Sequence, residues 1–242
     1  MAPCWRHTIE GGRSHPLPLS QRCPNPNLVT VKATTPAAGD IAVIAAGSAL
    51  GRIQTRSGPT RNEWYEFRHW GPTRSRFDHH SVNPPGLDPS RGVLYATLGN
   101  NGFTAAIAEY FQDSGSQSMG PIDRVRGEPY YTRFDLTADL RLLNLNGGWI
   151  TRAGGNQAIR TGSRVTAQRW SRAIYDAHAV SHDLHGLLYG SSIWGPGQCV
   201  VLWERAHVAL PWYPRVSVAL NERHLNVPIA SAACTLGTVI VP

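Results

Sequence analysis

Hydrophobic and polar positions change period several times along this chain. Residues 49–55, ALGRIQT, read as a strand with Arg52 in its interior. In VLYAT, Val93, Tyr95 and Thr97 alternate against Leu94 and Ala96, the two-residue period of a strand. After the turn residues GNNG, Phe103, Ile107 and Tyr110 or Phe111 share one stripe at helical spacing. This predicts a short helix over 103–112, with Glu109 beside the stripe rather than in it. A second helix over 166–180 places Trp170, Ala173, Ile174 and Ala177 on one face. TRFDL at 132–136 and LRLLNL at 140–145 are further short elements, and GLLYGSS, QCVVLW and RVSVAL read as strands, the last alternating cleanly. There is no internal repeat. Strand outweighs helix, so the fold class is α+β.

The ends and one internal stretch behave differently. Residues 1–40 carry five prolines by Pro26 and no sustained period, which predicts an irregular N-terminal extension, wrapped on the domain or partly disordered, before one domain over 41–242. Residues 56–92 are dense in Gly, Pro, Arg and His. A long irregular stretch between globular segments is expected to be a binding loop.

Composition narrows the class. The 242 residues are 41% hydrophobic and 16% charged, with eight Trp and eight Tyr, which excludes an intrinsically disordered chain. The longest largely apolar run, 41–50, is roughly half of a membrane-spanning helix, and the first residues lack a basic start followed by an apolar stretch. No membrane segment and no secretory signal are expected, so the location expected is cytoplasmic, with delivery as an effector still open. The formal charge is +7, and Lys32 is the single lysine among 23 basic residues. Guanidinium groups grip phosphate oxygens with two parallel bonds, so an anionic ligand is expected. The arginines are scattered singly and no nucleic-acid-binding motif occurs, which favours a small phosphorylated ligand over nucleic acid. Cys4, Cys23, Cys199 and Cys234 form no close pair, so neither a zinc site nor a disulfide framework is expected and the thiols read as reduced. Cys199, inside QCVVLW, reads as a small buried hydrophobe.

Three groups of residues carry potential chemistry. Arg52, Arg74 and Arg76 lie in or beside the Gly/Pro-rich stretch; Glu109 ends a short helix that follows a strand bearing Tyr95; Tyr189 and Ser191 stand where a strand enters the turn GSSIWGPG. Each has a plain structural reading too. A loop arginine is commonly a solvated charge, a helix glutamate a surface residue, and a serine in a turn a turn former.

Their order along the chain is more specific. FRHWGPTRSRFDHH, LYAT, AAIAE, GLLYGS and QCVVLWE follow one another as do the motifs of the RES domain family, and the chain resembles that family over about residues 45–205. His79 and His80 replace the small or proline residues that follow RFD in the family, and the family's FNP start reads FRH here. The resemblance implies an ADP-ribosyltransferase-like fold, a split β-sheet core with short flanking helices. It also implies consumption of NAD+ as substrate, with no resident cofactor or metal, and a toxin or effector role held in check by an antitoxin or immunity protein. Residue by residue, it puts the family's arginines on Arg52 and Arg76, its tyrosine on Tyr95, its glutamate on Glu109 and its serine on Ser191, with Tyr189 in the same motif.

Those residue types suit the reaction. Breaking the bond between nicotinamide and ribose builds positive charge on the ribose. Nicotinamide leaves as a neutral molecule, so no acid is needed to protonate it. Glu109 is then expected to stabilise the oxocarbenium-like state and to hold or activate water. Arg76 and Arg52 would hold the phosphates, Tyr95 would offer a ring and a hydroxyl, and Ser191 would orient Glu109 or a ribose hydroxyl. Arginine-directed ADP-ribosyltransferases resemble one another in a second glutamate two residues before the catalytic one, and Ile107 occupies that position. An NAD+ glycohydrolase is therefore expected, with NAD phosphorylase and ADP-ribosyltransferase as alternatives on the same fold.

Other classes fit the residues less well. His178, His182 and His185 have spacings that would converge only if the second helix continued, and Gly186 argues that it ends. No G-x-S-x-G nucleophile turn occurs. A non-enzymatic, basic module binding nucleic acid or protein would use Trp64, Trp70, Trp149, Trp194 and Trp212 as stacking faces, although most tryptophans in a domain of this size are core. His79 and His80, in the binding loop, are expected near substrate.

Overall fold

The computed structural model describes residues 22–113 and 118–241. Five helices are α1 (Leu28–Ala33), α2 (Gly102–Tyr110), α3 (Trp149–Arg152), α4 (Arg164–His178) and α5 (Asn226–Leu236). The strands are β1 (Ile41–Ile44), β2 (Ala49–Thr55), β3 (Trp70–Gly71), β4 (Gly86–Leu87), β5 (Val93–Leu98), β6 (Ile122–Asp123), β7 (Pro129–Asp135), β8 (Leu140–Asn144), β9 (Gly186–Gly190), β10 (Gln198–Trp203), β11 (Val216–Ala219) and β12 (Ile240–Val241). Eight of them form one sheet in the order β1-β8-β9-β10-β5-β2-β7-β11. Only the β8–β9 pair in that sheet is parallel, because residues 145–185, with α3 and α4, return the chain in the same direction. The protein is a mixed α+β molecule built on a large mixed sheet. Among the described residues, no helix is long and apolar enough to cross a membrane.

The apolar run of β10 is buried on both faces, as expected for a central strand. Cys199, Val201 and Trp203 join Leu187, Tyr189 and Leu143 on the face covered by α3 and α4, where Trp149 and Trp170 are fully buried. Val200 and Leu202 face the other way, with Leu94, Ala96, Leu140, Leu142 and Leu188. A third cluster joins Ala106 and Ile107 of α2 to Ile53 of β2 and to Ile229, Ala232 and Ala233 of α5. Helix α2 therefore lies between the sheet and α5, with its alanines as the contact surface.

Gly186 opens β9 at φ 158°, where an added Cβ would sit 2.1 Å from the Val201 carbonyl oxygen of β10. Backbone cannot yield as a flexible side chain would. Gly186→Ala is expected to lower stability by about 2 kcal/mol, read as a lower urea midpoint at unchanged slope. An unchanged midpoint would show that the strands separate freely there.

Two expectations need correction. Of the extension over 1–40, residues 1–21 lie outside the described residues; 22–40 wrap on the domain, but they include helix α1 and are not wholly irregular. Asn27 caps α1 by accepting from the Val29 and Thr30 amides, and Val31 and Cys23 are buried in the same cluster as Trp149 and Trp170. The Trp170 and Trp149 indoles donate to the carbonyls of Pro24 and Thr34. The density of prolines concealed one buried valine and two tryptophan partners. Second, Cys234 is disulfide-bonded, while Cys23 and Cys199 are free and buried, since sequence spacing does not report distance in the fold. RVSVAL does form a strand, β11, at the edge of the sheet, with Val216 and Ser217 both exposed.

Candidate active site

Strands β2 and β5 pair through only two positions, Leu50 with Leu98 and Gly51 with Thr97, and then part. The Thr97 hydroxyl donates to the Gly102 carbonyl at 2.6 Å and lies 3.0 Å from that of Gly51, tying the last paired position to the start of α2. Beyond this point the strands open a cavity of about 510 Å³. Arg52 and Ile53 line one wall, and Tyr95 and Ala96 the other. Glu109 and Gln112 enter from α2 and its end, Tyr189 from β9, Arg164 from the start of α4, and Thr73, Arg74, Ser75 and Arg76 from the long loop.

Among the described residues, Glu109 is the one carboxylate lining this cavity. Ser191, just past β9, donates through its hydroxyl to Glu109 Oε1 at 2.6 Å, and that hydroxyl in turn accepts from the amides of Ile193 and Trp194. The Gln112 amide donates to the Glu109 carbonyl at 2.7 Å and lies 3.4 Å from Oε2, while its own oxygen accepts from Arg164. Burial pushes the Glu109 carboxyl above its ordinary range, opposed by the Ser191 hydrogen bond and the Arg76 charge. A carboxyl with a raised pKa in a cleft is a candidate for proton transfer.

Two of the arginines, Arg52 and Arg76, are buried. Arg52 donates to the Trp64 carbonyl at 3.0 Å, and burial pulls its guanidinium down to about 10, leaving it charged at neutral pH. Arg76 donates to the Gly162 carbonyl at 2.6 Å through one nitrogen; its other terminal nitrogen is buried with no partner among the described residues. Burial and the neighbouring Arg164 both lower its pKa. Arg52 Nε and the Tyr95 hydroxyl are likewise buried without a partner, Ser75 lying alongside the latter. Burial raises both the Tyr95 and the Tyr189 phenol well above the usual value, so neither titrates near neutrality. Buried donors left unpaired are costly to a fold.

The loop that carries Arg76 is fastened by groups the sequence did not reveal. Asp78, fully buried, accepts from the Thr73 amide at 2.7 Å, from Arg68 at 2.9 Å and from the His80 ring at 2.5 Å. Burial favours the neutral acid, but these bonds outweigh it and hold Asp78 well below the usual carboxylate range. Helix α4 offers a polar row at i, i+3 and i+4: Gln168 donates to the Thr73 and Ser75 carbonyls, Ser171 to that of Phe77 and Arg172 to that of His80. The helical spacing of Gln168, Ser171 and Arg172 was visible in the sequence, but only their apolar neighbours on α4 were read as a contact face.

Arg52, Arg76, Tyr95, Glu109 and Tyr189 all line the cavity, and Ser191 reaches it through Glu109. Arg68, Gln112 and Arg164 join them without having been singled out. His79 and His80 do not: both are fully buried behind the loop, where His79 stacks on Tyr175 with ring centres 4.3 Å apart. Cys199 is fully buried beside Glu109, its thiol pushed up by burial, and is inert. The three histidines of the metal alternative have separate occupations. His178 bonds the Val31 carbonyl, His182 the Ser181 hydroxyl, and His185 accepts from the Arg141 amide. Among the described residues no group of three His, Cys, Asp or Glu is arranged to hold a metal ion. Trp64 and Trp149 are core, Trp194 is half-buried, and Trp70 and Trp212 are exposed.

Fold and site together define a mixed α+β protein with a cationic cleft around one hydrogen-bonded carboxylate. Comparison of the chain with family models, curated proteins and solved structures finds no match.

Proposed function

We propose that this protein is an NAD+ glycohydrolase on an ADP-ribosyltransferase-like split sheet. The observation that carries the reading is the half-buried Glu109 carboxylate, held by Ser191 at 2.6 Å inside a cleft that five arginines also line. The parting of β2 from β5 supports the split-sheet reading, because it opens the cleft within the sheet itself.

In this mechanism the bond from ribose C1′ to the nicotinamide nitrogen breaks, and its electron pair leaves with neutral nicotinamide. The developing cation at C1′ is stabilised by ionised Glu109 in a site where burial strengthens the attraction. Water adds to C1′ and gives up a proton, which Glu109 accepts. Arg52 and Arg76 bind the pyrophosphate, their unpaired donors supplying charge-assisted bonds. Position 107 is a fully buried isoleucine, so no second carboxylate stands there to activate an arginine acceptor, which favours water.

The test is release of nicotinamide from NAD+ by the purified protein, resolved by chromatography. Equimolar ADP-ribose is the expected second product. A product formed only with added phosphate would instead mark phosphorolysis, and no nicotinamide release by the folded protein would overturn the reading.

The pH profile gives a separate check. Catalysis requires the ionised carboxylate, so kcat/KM is expected to rise with pH through the elevated pKa of Glu109. The Ser191 hydrogen bond favours the charged form, and its loss raises that pKa further. Ser191→Ala should therefore move the ascending limb to higher pH, with much of the lost rate recovered above it. A limb that stays put or moves to lower pH would show that Ser191 does not act through Glu109.

A further inference from the structure

Five guanidinium groups, Arg52, Arg68, Arg74, Arg76 and Arg164, line a cleft that contains one carboxylate. Asp78, outside the cleft, is ion-paired with Arg68, and Glu109 offsets one more charge. A pyrophosphate brings two negative charges and the nicotinamide ring one positive charge. Positive charge is left over, and the fold indicates where. Arg74 is exposed at the mouth, two residues along the loop from buried Arg76, and it makes no hydrogen bond or ion pair among the described residues.

On the glycohydrolase reading, a dinucleotide with its nicotinamide ribose at Glu109 would place its pyrophosphate near Arg76 and its second ribose toward exposed Arg74. Resting on the glycohydrolase reading above, we propose that the preferred substrate is a nicotinamide dinucleotide bearing a third phosphate on that second ribose. Arg74 is the residue that reads it. A phosphomonoester has three acceptor oxygens, and a guanidinium matches two of them with parallel bonds. Arg74 is thus a specificity determinant and takes no part in bond cleavage.

The experiment compares kcat/KM for NADP+ and NAD+ in the wild type, in Arg74→Ala and in Arg223→Ala, an exposed arginine outside the cleft. The wild type is expected to favour NADP+ by about tenfold, the scale of one hydrogen bond to a charged group. Arg74→Ala should bring the ratio close to one, and Arg223→Ala should keep it. Calorimetry on Glu109→Gln measures the same ratio in binding, independently of turnover. A wild-type ratio at or below one, with NAD+ still cleaved, overturns this inference and leaves the glycohydrolase reading standing. A preference that survives Arg74→Ala overturns the assignment to Arg74. Cleavage of neither dinucleotide overturns both.

Discussion

Glu109→Gln is expected to lower nicotinamide release by about 10³-fold, within the range found when one group stabilising transition-state charge is removed. The amide keeps the shape of the carboxylate and a site for the Ser191 hydroxyl to bond, but it cannot offset the cation forming at C1′ or accept a proton. Ile107 and Ala106, which pack α2 against α5, are untouched. The fold should persist, and an unchanged circular dichroism spectrum and melting curve would establish that. Because burial already favours the neutral form of Glu109, removing its charge should raise the melting temperature slightly at alkaline pH. Turnover within tenfold of the wild type, in a folded variant, would exclude Glu109 as the catalytic carboxylate.

Arg76→Ala is expected to cost about 10² in kcat/KM, the scale of losing one or two hydrogen bonds from a charged group. Two separable effects contribute. The buried nitrogen without a partner is lost to the substrate phosphates, which raises KM. The positive charge that lowers the Glu109 pKa is also lost, which moves the ascending limb of the pH profile upward. Arg76→Lys separates them: an ammonium restores the charge and part of the limb, but not the fork that holds Gly162 and phosphate together. A variant that melts lower but turns over normally would reduce Arg76 to a fastening of the loop.

Much of the sheet was legible in the chain. The boundaries of β2 and β10 coincide with the runs ALGRIQT and QCVVLW, and α2 and α4 follow their stripes to within two residues. These elements bury regular faces, and regular burial leaves a period. The helices α1 and α5 and the strand β1 were not singled out. Helix α1 is six residues with one buried side chain, and α5 is rich in alanine, so neither carries a strong stripe. The stretch after Glu204 lies outside the ordered motifs, yet its helix α5 packs against α2, which carries Glu109.

The site was legible as residue types and order, and its geometry was not. His79 and His80 sit in the loop beside Arg76 and looked equally available, but the loop folds so that Asp78 and His80 turn inward while Arg74 and Arg76 turn to the cleft. Gln112 and Arg164 are far apart in sequence and unremarkable singly; they bond each other at 2.8 Å beside Glu109.

By itself, the sequence determined the α+β class, the central strands and the identity of a carboxylate, a serine and two arginines in ordered motifs. Periodicity and short-range order are local properties, and a chain writes them directly into its residues. Only the tertiary structure decided that scattered arginines gather in one cleft, that the cleft opens where β2 leaves β5, and that Ser191 meets Glu109 across 82 positions. Burial, charge balance and hydrogen-bond partners depend on which distant segments meet, and that is settled by packing.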